Sequence, residues 1–247
     1  MIFYFTATGN SLMAAKALAK EGEALVDMAA ARKQGDFRYL LPEGERLGFV
    51  FPVYFYTIGD VVSDFLERLE IDGDPYTFAV ITCGGGIGGA GGLLAKKLRA
   101  RGLNLSYIAS LLMPDDTVFY YNLASDEANA RRLRGAETRL EEIGKALNEK
   151  QTSKAKGGLS ALCRSLYHAA ASTKKFRAEE NCLHCGLCER ICPDGAIELR
   201  DGLPVWMKSK CTKCSACINR CPAEAIQYGK GTKTRRRYVN PILKGKG

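Results

Sequence analysis

The chain has 247 residues, 46% hydrophobic and 26% charged, a near-average composition that excludes a stapled mini-protein, wholesale disorder and a fibrous repeat. The net charge of +9 is unevenly spread, because residues 1–150 carry 17 basic and 20 acidic side chains whereas residues 151–247 carry 19 and 7. The halves, with net charges of −3 and +12, are predicted to form separate units, the second suited to nucleic acid, a membrane surface or an acidic protein.

Two features favour a cytoplasmic protein. Residues 1–6 lack the basic start and long apolar core of a signal peptide. No apolar run reaches the length of a membrane span, since the stretch over 105–113 stops at Pro114. Thiols stay reduced in the cytoplasm, so the clustered ones among the ten cysteines are expected to bind metal rather than to form disulfides.

The first 150 residues alternate short apolar runs with helical patterns. Buried strands are predicted over 3–5, 24–28, 47–53, 78–82 and 105–112. Helices are predicted over 11–20, 58–69, 93–101 and 125–150, the last with Ser125-Asp126 as its N-cap. This alternation predicts a doubly wound α/β fold with a five-stranded parallel sheet, which binds ligands beyond the carboxyl ends of its strands.

The loop after the first strand reads Thr6-Ala7-Thr8-Gly9-Asn10-Ser11 and contains no Lys or Arg. Hydroxyl groups and the N–H groups of a helix N-terminus can satisfy the oxygens of a phosphate monoester without a salt bridge. The loop therefore indicates a phosphate site, with an ordinary capped turn as the alternative interpretation.

Two further loops follow strands of the predicted sheet. The segment 51–57 contains four aromatic residues, which suit either core packing or contact with a planar ring. The segment 83–92 has seven glycines in ten residues, which allow either close approach of a ligand to the backbone or simple flexibility.

On these loops, residues 1–150 resemble the flavodoxins, most specifically in the apolar strand, Thr-Gly turn and Ala-rich helix over 2–18. The resemblance implies that FMN is bound, with its phosphate held by the first loop and its isoalloxazine framed by the other two. The implied phosphate residues are Thr6, Thr8, Gly9, Asn10 and Ser11, and the implied ring residues are Pro52, Val53, Tyr54, Phe55, Tyr56, Cys83, Gly84, Gly85 and Gly86. The third loop departs from the flavodoxin pattern by lacking its aromatic and acidic residues.

The second half contains an internal duplication. The spacing Cys-x2-Cys-x2-Cys-x3-Cys-Pro occurs over 182–193 and again, 29 residues later, over 211–222. Three thiolates on one tight turn can reach three corners of a four-iron cubane. Zinc is the alternative, but a zinc ribbon pairs two Cys-x2-Cys hairpins and has no use for the remaining cysteines of each run.

This half, over 177–229, resembles the two-cluster ferredoxins, in which the fourth cysteine of each run ligates the other cluster. The resemblance implies two [4Fe-4S] clusters in a small α+β domain. It assigns Cys182, Cys185, Cys188 and Cys221 to one cluster, and Cys211, Cys214, Cys217 and Cys192 to the other.

The remaining residues have plainer interpretations. Cys83 and Cys163 are expected to pack, the latter in an amphipathic helix over 159–171 that would dock between the halves. His168 and His184 lack the partners of a metal site, although His184 could tune a cluster by hydrogen bonding. Residues 151–158 are the predicted domain boundary, and the basic residues 230–247 are predicted to form a mobile tail without the features of a nucleic-acid-binding module.

A flavodoxin-like half joined to a two-cluster ferredoxin half resembles the EFR family of flavodoxin-ferredoxin fusions, as does Met113-Pro114-Asp115 after the fifth strand. The resemblance implies an electron-transfer protein of anaerobic metabolism that links one-electron and two-electron redox partners, with an acidic partner at the basic half. Two alternatives remain open: a reductase in which FMN reduces a small molecule, and a ferredoxin whose first half binds a partner without flavin. The predicted organisation is 1–150 for FMN, 151–176 as linker with a short helix, 177–229 for the clusters and 230–247 as tail.

Overall fold

The first half is built around a parallel sheet. The structure, a computed structural model, describes residues 1–158 and 160–243. The strands of this half are β1 (Ile2–Tyr4), β2 (Leu25–Asp27), β3 (Arg38–Leu40), β4 (Arg46–Tyr54), β5 (Thr57–Ile58), β6 (Glu70–Asp72), β7 (Tyr76–Cys83) and β8 (Leu105–Leu112). Its helices are α1 (Asn10–Leu18), α2 (Met28–Gln34), α3 (Asp60–Arg68), α4 (Ala90–Arg99) and α5 (Asp126–Asn148).

The sheet has the strand order β2-β1-β4-β7-β8, with every neighbouring pair parallel. This is the flavodoxin-like order of a doubly wound fold, and it confirms the predicted five-stranded sheet. Side chains alternate between the two faces, so Ile2 packs with α1 and α5 whereas Phe3 packs with α2 and α3. Because the strands are parallel, the loops after β1, β4 and β7 all lie at one edge of the sheet, near the point beside β1 where the strand order reverses.

Several boundaries differ from the prediction. The helix predicted from residue 58 begins at Asp60, because Thr57 and Ile58 form β5 and pair with the end of β4. Helix α2 was not predicted; it starts directly after a short strand, and the Asp27 carboxylate caps it by accepting the N–H groups of Ala29 and Ala30. The predicted N-cap Ser125 is confirmed, since its Oγ accepts the Ala128 N–H at 3.3 Å.

The second half consists of a linker helix, two short antiparallel pairs of strands and two short helices. Its elements are α6 (Ser160–Ala170), β9 (Phe176–Ala178), α7 (Leu187–Arg190), β10 (Ile197–Arg200), β11 (Leu203–Trp206), α8 (Ala216–Asn219) and β12 (Ile226–Tyr228). Strand β9 pairs with β12, and β10 with β11, both antiparallel. The sequence duplication is repeated in the backbone, because left-handed residues recur 29 positions apart, at His184 and Lys213 and at Gly186 and Ser215.

The segment between the halves is anchored to the sheet. Ser153 pairs with the outer edge of β8, where its N–H donates to Ser106 O at 2.9 Å and its Oγ accepts the Ile108 N–H at 2.8 Å. Farther along, Lys156 O accepts the Gly92 N–H at 3.1 Å. The predicted boundary region thus bonds to β8 at Ser153 and to α4 at Lys156, and α6 follows it; Leu159 lies outside the described residues. No helix in the described part of the chain is long and apolar enough to cross a membrane.

Candidate functional site

The loop between β1 and α1 turns sharply at Gly9. Gly9 has a φ of 103°, in the left-handed region that favours glycine, and its N–H donates to Thr6 Oγ1 at 3.0 Å. Helix α1 begins at the next residue, so the N–H groups of its first turn have no intrahelical acceptor. The loop therefore offers backbone donors and the positive end of a helix to an anionic group.

Two hydroxyl groups of this loop bond to neighbouring segments. Thr8 Oγ1 donates to Asp116 Oδ2 at 2.6 Å, and Ser11 Oγ lies 2.8 Å from Thr82 Oγ1. Thr8 and Ser11 are both almost completely buried. The hydrogen bonds fix these side chains between the loop, β7 and the segment that follows β8.

The C-terminal segment covers the back of the same loop. Asn10 Oδ1 accepts from Tyr238 Oη at 2.8 Å and from Asn240 Nδ2 at 3.1 Å, and the Asn240 N–H donates to Thr8 O at 2.8 Å. A Cβ on Gly9 would lie 2.8 Å from Asn240 Cβ, so only glycine allows this approach. The prediction of a mobile tail is therefore wrong for 230–243; residues 244–247 lie outside the described part.

A cleft of about 290 Å³ opens beside the loop, near the lower end of the usual range for small-molecule sites. Its lining contains most of the residues assigned to FMN from the sequence: Thr6, Thr8, Asn10, Ser11, Pro52, Val53, Phe55, Tyr56, Cys83, Gly84, Gly85 and Gly86. Gly9 and Tyr54 do not line it. Gly9 turns its Cα towards the C-terminal segment, and Tyr54 points into the protein.

The aromatic side chains over 51–57 lie partly in the core and partly at the cleft. Phe51 is fully buried, whereas Phe55 and Tyr56 form the two-residue turn between β4 and β5 and line the cleft. Both turn residues have positive φ, 48° and 59°, which costs energy in residues other than glycine. The hairpin thus holds two aromatic side chains at the cleft, and Tyr56 is 58% exposed.

The segment after β8 supplies groups that sequence reasoning missed. Asp115, Asp116, Tyr120 and Tyr121 all line the cleft. Tyr121 Oη donates to Asp115 Oδ2 at 2.5 Å, and a Cβ on Gly84 would lie against the same carboxylate. These are the aromatic and acidic residue types that the glycine-rich loop lacks. The sequence signals were the position of Asp115 and Asp116 just beyond a strand of the parallel sheet and the resemblance noted for Met113-Pro114-Asp115.

The eight cysteines of the duplicated motif line two separate cavities. Thiol set A, defined as Cys182, Cys185, Cys188 and Cys221, lines one; thiol set B, defined as Cys192, Cys211, Cys214 and Cys217, lines the other. Each set joins three cysteines of one run to the fourth of the other run. This is the grouping that the resemblance to two-cluster ferredoxins implies.

The thiols of set B are shielded from water. Burial raises the pKa of Cys211 to about 11 and raises those of Cys214 and Cys217 well above the usual value. Cys192 Sγ accepts the Ala196 N–H at 3.2 Å in a buried setting. Ionised sulfur is unfavourable there without a positive centre, and a bound metal would supply one. Backbone donors and burial therefore fit a metal cluster.

Set B lies against the first half. Cys214 and Ala216 belong to the same buried apolar cluster as the residues of β4 and α3. Burial raises the pKa of Tyr54, and the nearby Cys214 thiol and Asp116 carboxyl group add to the shift. A Cβ on Gly59 would lie 2.6 Å from Tyr54 Cδ2, so the ring packs directly on the start of α3.

Polar contacts hold set B in this position. Tyr167 of α6 is fully buried; its Oη accepts the Asp60 N–H at 3.1 Å and donates to Thr212 O at 3.2 Å. Arg32 of α2 donates to Pro193 O at 3.1 Å and lies 3.6 Å from Asp194 Oδ1. Helix α6 thus contacts both halves through Tyr167, but the prediction that its apolar stripe makes that contact is wrong, because Leu162 and Leu166 are 56% and 54% exposed.

Set A is more exposed. Cys185 is exposed and Leu183 is 64% exposed, and the residues that line the set A cavity all lie within 182–226. His184 Nδ1 is 3.0 Å from Gly202 O, with its imidazole at the surface beside the cavity. Burial raises the pKa of Cys188 to about 11, and Cys182, Cys188 and Cys221 are all half-buried.

The two other cysteines lie apart from both sets. Cys83 is buried at the end of β7, and burial raises the pKa of its thiol. Cys163 is half-buried on α6. Within the described residues, no three His, Cys, Asp or Glu side chains converge closely enough to hold a single metal ion.

A family model described as a 4Fe-4S dicluster domain matches residues 174–222, which contain both cysteine runs. No curated protein matches the sequence. The family match assigns iron-sulfur chemistry to the C-terminal region.

Three solved structures are similar to part of the chain. Rubredoxin oxygen:oxidoreductase from the anaerobe Desulfovibrio gigas is 16% identical, with a TM-score of 0.33 over 60% of this chain and 36% of that chain. The Trp repressor binding protein from Bacillus subtilis is 11% identical, with a TM-score of 0.32 over 57% of this chain and 96% of its own. An FMN-dependent NADH-azoreductase from Bacillus anthracis str. Ames Ancestor, in complex with FMN, is 12% identical, with a TM-score of 0.34 over 59% and 98%. The chain therefore spans about a third of the first of these proteins, and its fold class rests on its own strand order.

Proposed function

We propose that this chain is an electron-transfer protein that holds two [4Fe-4S] clusters at thiol sets A and B and FMN in the cleft beside β1. The observation that carries the proposal is the assembly of eight cysteines around two cavities, each completed by the fourth cysteine of the other run. The dicluster match over 174–222 supports the same chemistry.

For the flavin, the proposal assigns the phosphate to the loop over 6–11 and the ring to the wall formed by Phe55, Tyr56 and the glycine-rich loop. When bound, the clusters would supply one-electron transfer and FMN would accept or release a pair of electrons. The chain's own residues bind and orient: first-turn N–H groups of α1 face the anion, and aromatic side chains cover the ring.

The proposal includes an EFR-type flavodoxin-ferredoxin fusion working in the cytoplasm of an anaerobic cell, with domains 1–150, 151–176 and 177–229 and the C-terminal segment 230–247. An acidic redox partner would suit the net charge of +12 in the second half, where Lys174, Lys175, Lys208 and Lys210 are all exposed. Electron transfer to such a partner should slow as salt is added, because screening weakens long-range attraction.

A reductase of small molecules is the second candidate. The observation that favours it is the polar rim of the cleft, where the hydrogen-bonded pair Asp115 and Tyr121 stands beside the exposed ring of Tyr120. Such groups could hold or protonate a small molecule over a flavin. Oxidation of the reduced protein by quinones, nitro compounds or disulfides would select this candidate over the carrier.

Anaerobic purification with analysis of iron, sulfide and flavin tests the proposal directly. We expect about eight iron atoms and one FMN per chain, with the EPR signals of reduced [4Fe-4S] clusters. A Cys163→Ser variant is the matched control, because Cys163 lies outside both thiol sets and its loss should leave the iron content unchanged. Zinc in place of iron and sulfide would contradict the assignment, and iron without FMN would select the alternative in which the first half binds a partner without flavin.

A further inference from the structure

The charged groups of the cleft have the wrong sign for a phosphate. Among the described residues that line it, Asp115 and Asp116 are the charged ones, and there is no Lys or Arg. Of these two carboxylates, Asp116 contacts the loop over 6–11, because its Oδ2 accepts a hydrogen bond from the Thr8 hydroxyl group at 2.6 Å. An ionised Asp116 would therefore stand beside any anion bound at residues 6–11.

Within the part of the chain that the structure describes, no cation offsets the charge of Asp116. Burial raises the pKa of its carboxyl group to about 7, and the neighbouring Asp115 adds to the shift. The other titratable groups that face it are Tyr54 from β4, Tyr121 from its own segment and Tyr238 from the C-terminal segment. Burial raises the pKa of all three phenols, so they are neutral and leave Asp116 unpaired.

Thr8 connects this acid to the proposed ligand. A hydroxyl group can donate one hydrogen bond, and that of Thr8 is donated to ionised Asp116. A protonated carboxyl group instead donates a hydrogen bond itself, which frees the Thr8 hydroxyl to donate to a phosphate oxygen. One added proton therefore removes the negative charge of Asp116 and leaves the Thr8 hydroxyl group free to donate to the phosphate.

We propose that Asp116 makes binding of a phosphate monoester at the 6–11 loop proton-coupled, so that phosphorylated flavin enters the cleft together with one proton. The inference rests on the proposed assignment of FMN to this cleft and adds the residue that sets its pH dependence. Repulsion between the dianionic phosphate and the ionised Asp116 carboxylate prevents both charges from being present in the cleft together. Riboflavin, which lacks the phosphate, escapes this restriction.

The test is a titration of the full chain, with its metal retained and its flavin removed, under anaerobic conditions. We expect the Kd for FMN, measured by fluorescence quenching, to rise about tenfold between pH 7.5 and 8.5, whereas the Kd for riboflavin changes less than about twofold. Calorimetry in two buffers of different ionisation enthalpy should show the uptake of close to one proton per FMN at pH 8.

Two variants separate Asp116 from its neighbour. Asp116→Asn should bind FMN more than about tenfold more tightly than the unmodified chain at pH 8.5 and lose the pH slope, because the amide has no charge to neutralise. Asp115→Asn, which alters the adjacent carboxylate at the same cleft, should keep the slope. If Asp116→Asn does not fold, the pH dependence of the Kd for FMN and the proton uptake of the unmodified chain still test the inference.

The outcomes are distinct. FMN binding that is independent of pH and takes up no proton overturns the inference but leaves the flavin assignment intact. A slope shared equally by riboflavin also overturns it, because the phosphate would then play no part. Failure of FMN to bind at any pH between 6 and 9 overturns the flavin assignment and this inference together.

Discussion

Thiol sets A and B descend from one repeated motif, yet they occupy different environments. Set A is enclosed by the second half, and Cys185 reaches the surface. Set B is packed into the apolar core of the first half through Cys214 and Ala216. Identical spacing therefore fixes the local turn but not the environment, which depends on contacts from far along the chain.

Because set A reaches the surface and set B packs against the first half, the two sets are not equivalent. Set A reaches the surface at Cys185, whereas set B is held against the first half by Arg32 and Tyr167. In the proposed function, an outside partner would meet the second half at set A and the first half at the cleft. Breaking each set in turn should then give unequal results.

The largest effect is expected from Cys214→Ser compared with Cys185→Ser. Both changes remove one thiol of a set and should lower the iron content by about half. Cys214→Ser should also lower the free energy of unfolding by about 4 kcal/mol, because it places a hydroxyl group and an emptied metal site inside the shared core.

Hydrogen exchange measures the contrast. With Cys214→Ser, amide exchange should accelerate in β4 and α3, which pack against set B, whereas Cys185→Ser should leave both elements as protected as before. Equal acceleration in the two variants would show that the first half does not depend on set B and would remove the asymmetry.

A smaller effect is expected from Arg32→Met, which cuts the polar contact between α2 and set B. The change removes the bond to Pro193 O and the ion pairs with Asp194 and Asp64, and should cost about 1 to 3 kcal/mol of folding free energy. Arg38→Met is the matched control, since Arg38 is 85% exposed in its ion pair with Glu70; it should cost less than about 0.5 kcal/mol.

The cost of Arg32→Met should depend on pH. Burial opposes ionisation of Asp64, but hydrogen bonds from Arg32 and Arg68 outweigh it and lower the pKa of the carboxyl group. A lowered folded-state pKa adds stability above the unfolded pKa of about 4 and loses it as pH falls. Denaturant unfolding at pH 7 and pH 3 should therefore show a larger difference between Arg32→Met and the unmodified chain at pH 7. A difference that grows in acid would contradict the ion-pair account.

Sequence reasoning reached the local features and missed the long-range ones. Strand β8 was predicted over its observed span, 105–112, because a run of apolar residues bounded by turns is a local signal. The aromatic residues over 51–57 could not be divided between core and cleft, since that division depends on the left-handed turn at Phe55 and Tyr56. The hydrogen bond from Asn240 to Asn10, in the loop after β1, joins residues more than 200 positions apart, which no periodicity reveals.

The smallest effect concerns Gly186 and Ser215, a pair of equivalent left-handed positions at which one repeat has glycine and the other does not. Gly186 and Ser215 have nearly equal φ, 68° and 63°, before α7 and α8. Gly186→Ser should cost about 1 to 2 kcal/mol, because its Cβ would also crowd Arg190 and Leu199 at 3.2 and 3.3 Å. Ser215→Gly should change stability by less than about 1 kcal/mol, since the relief of backbone strain is offset by chain entropy and by loss of the Ser215 hydroxyl bond to Cys214 O. Thermal unfolding of the two variants compares them directly, and an equal loss in both would mean that the turns are interchangeable despite their different surroundings.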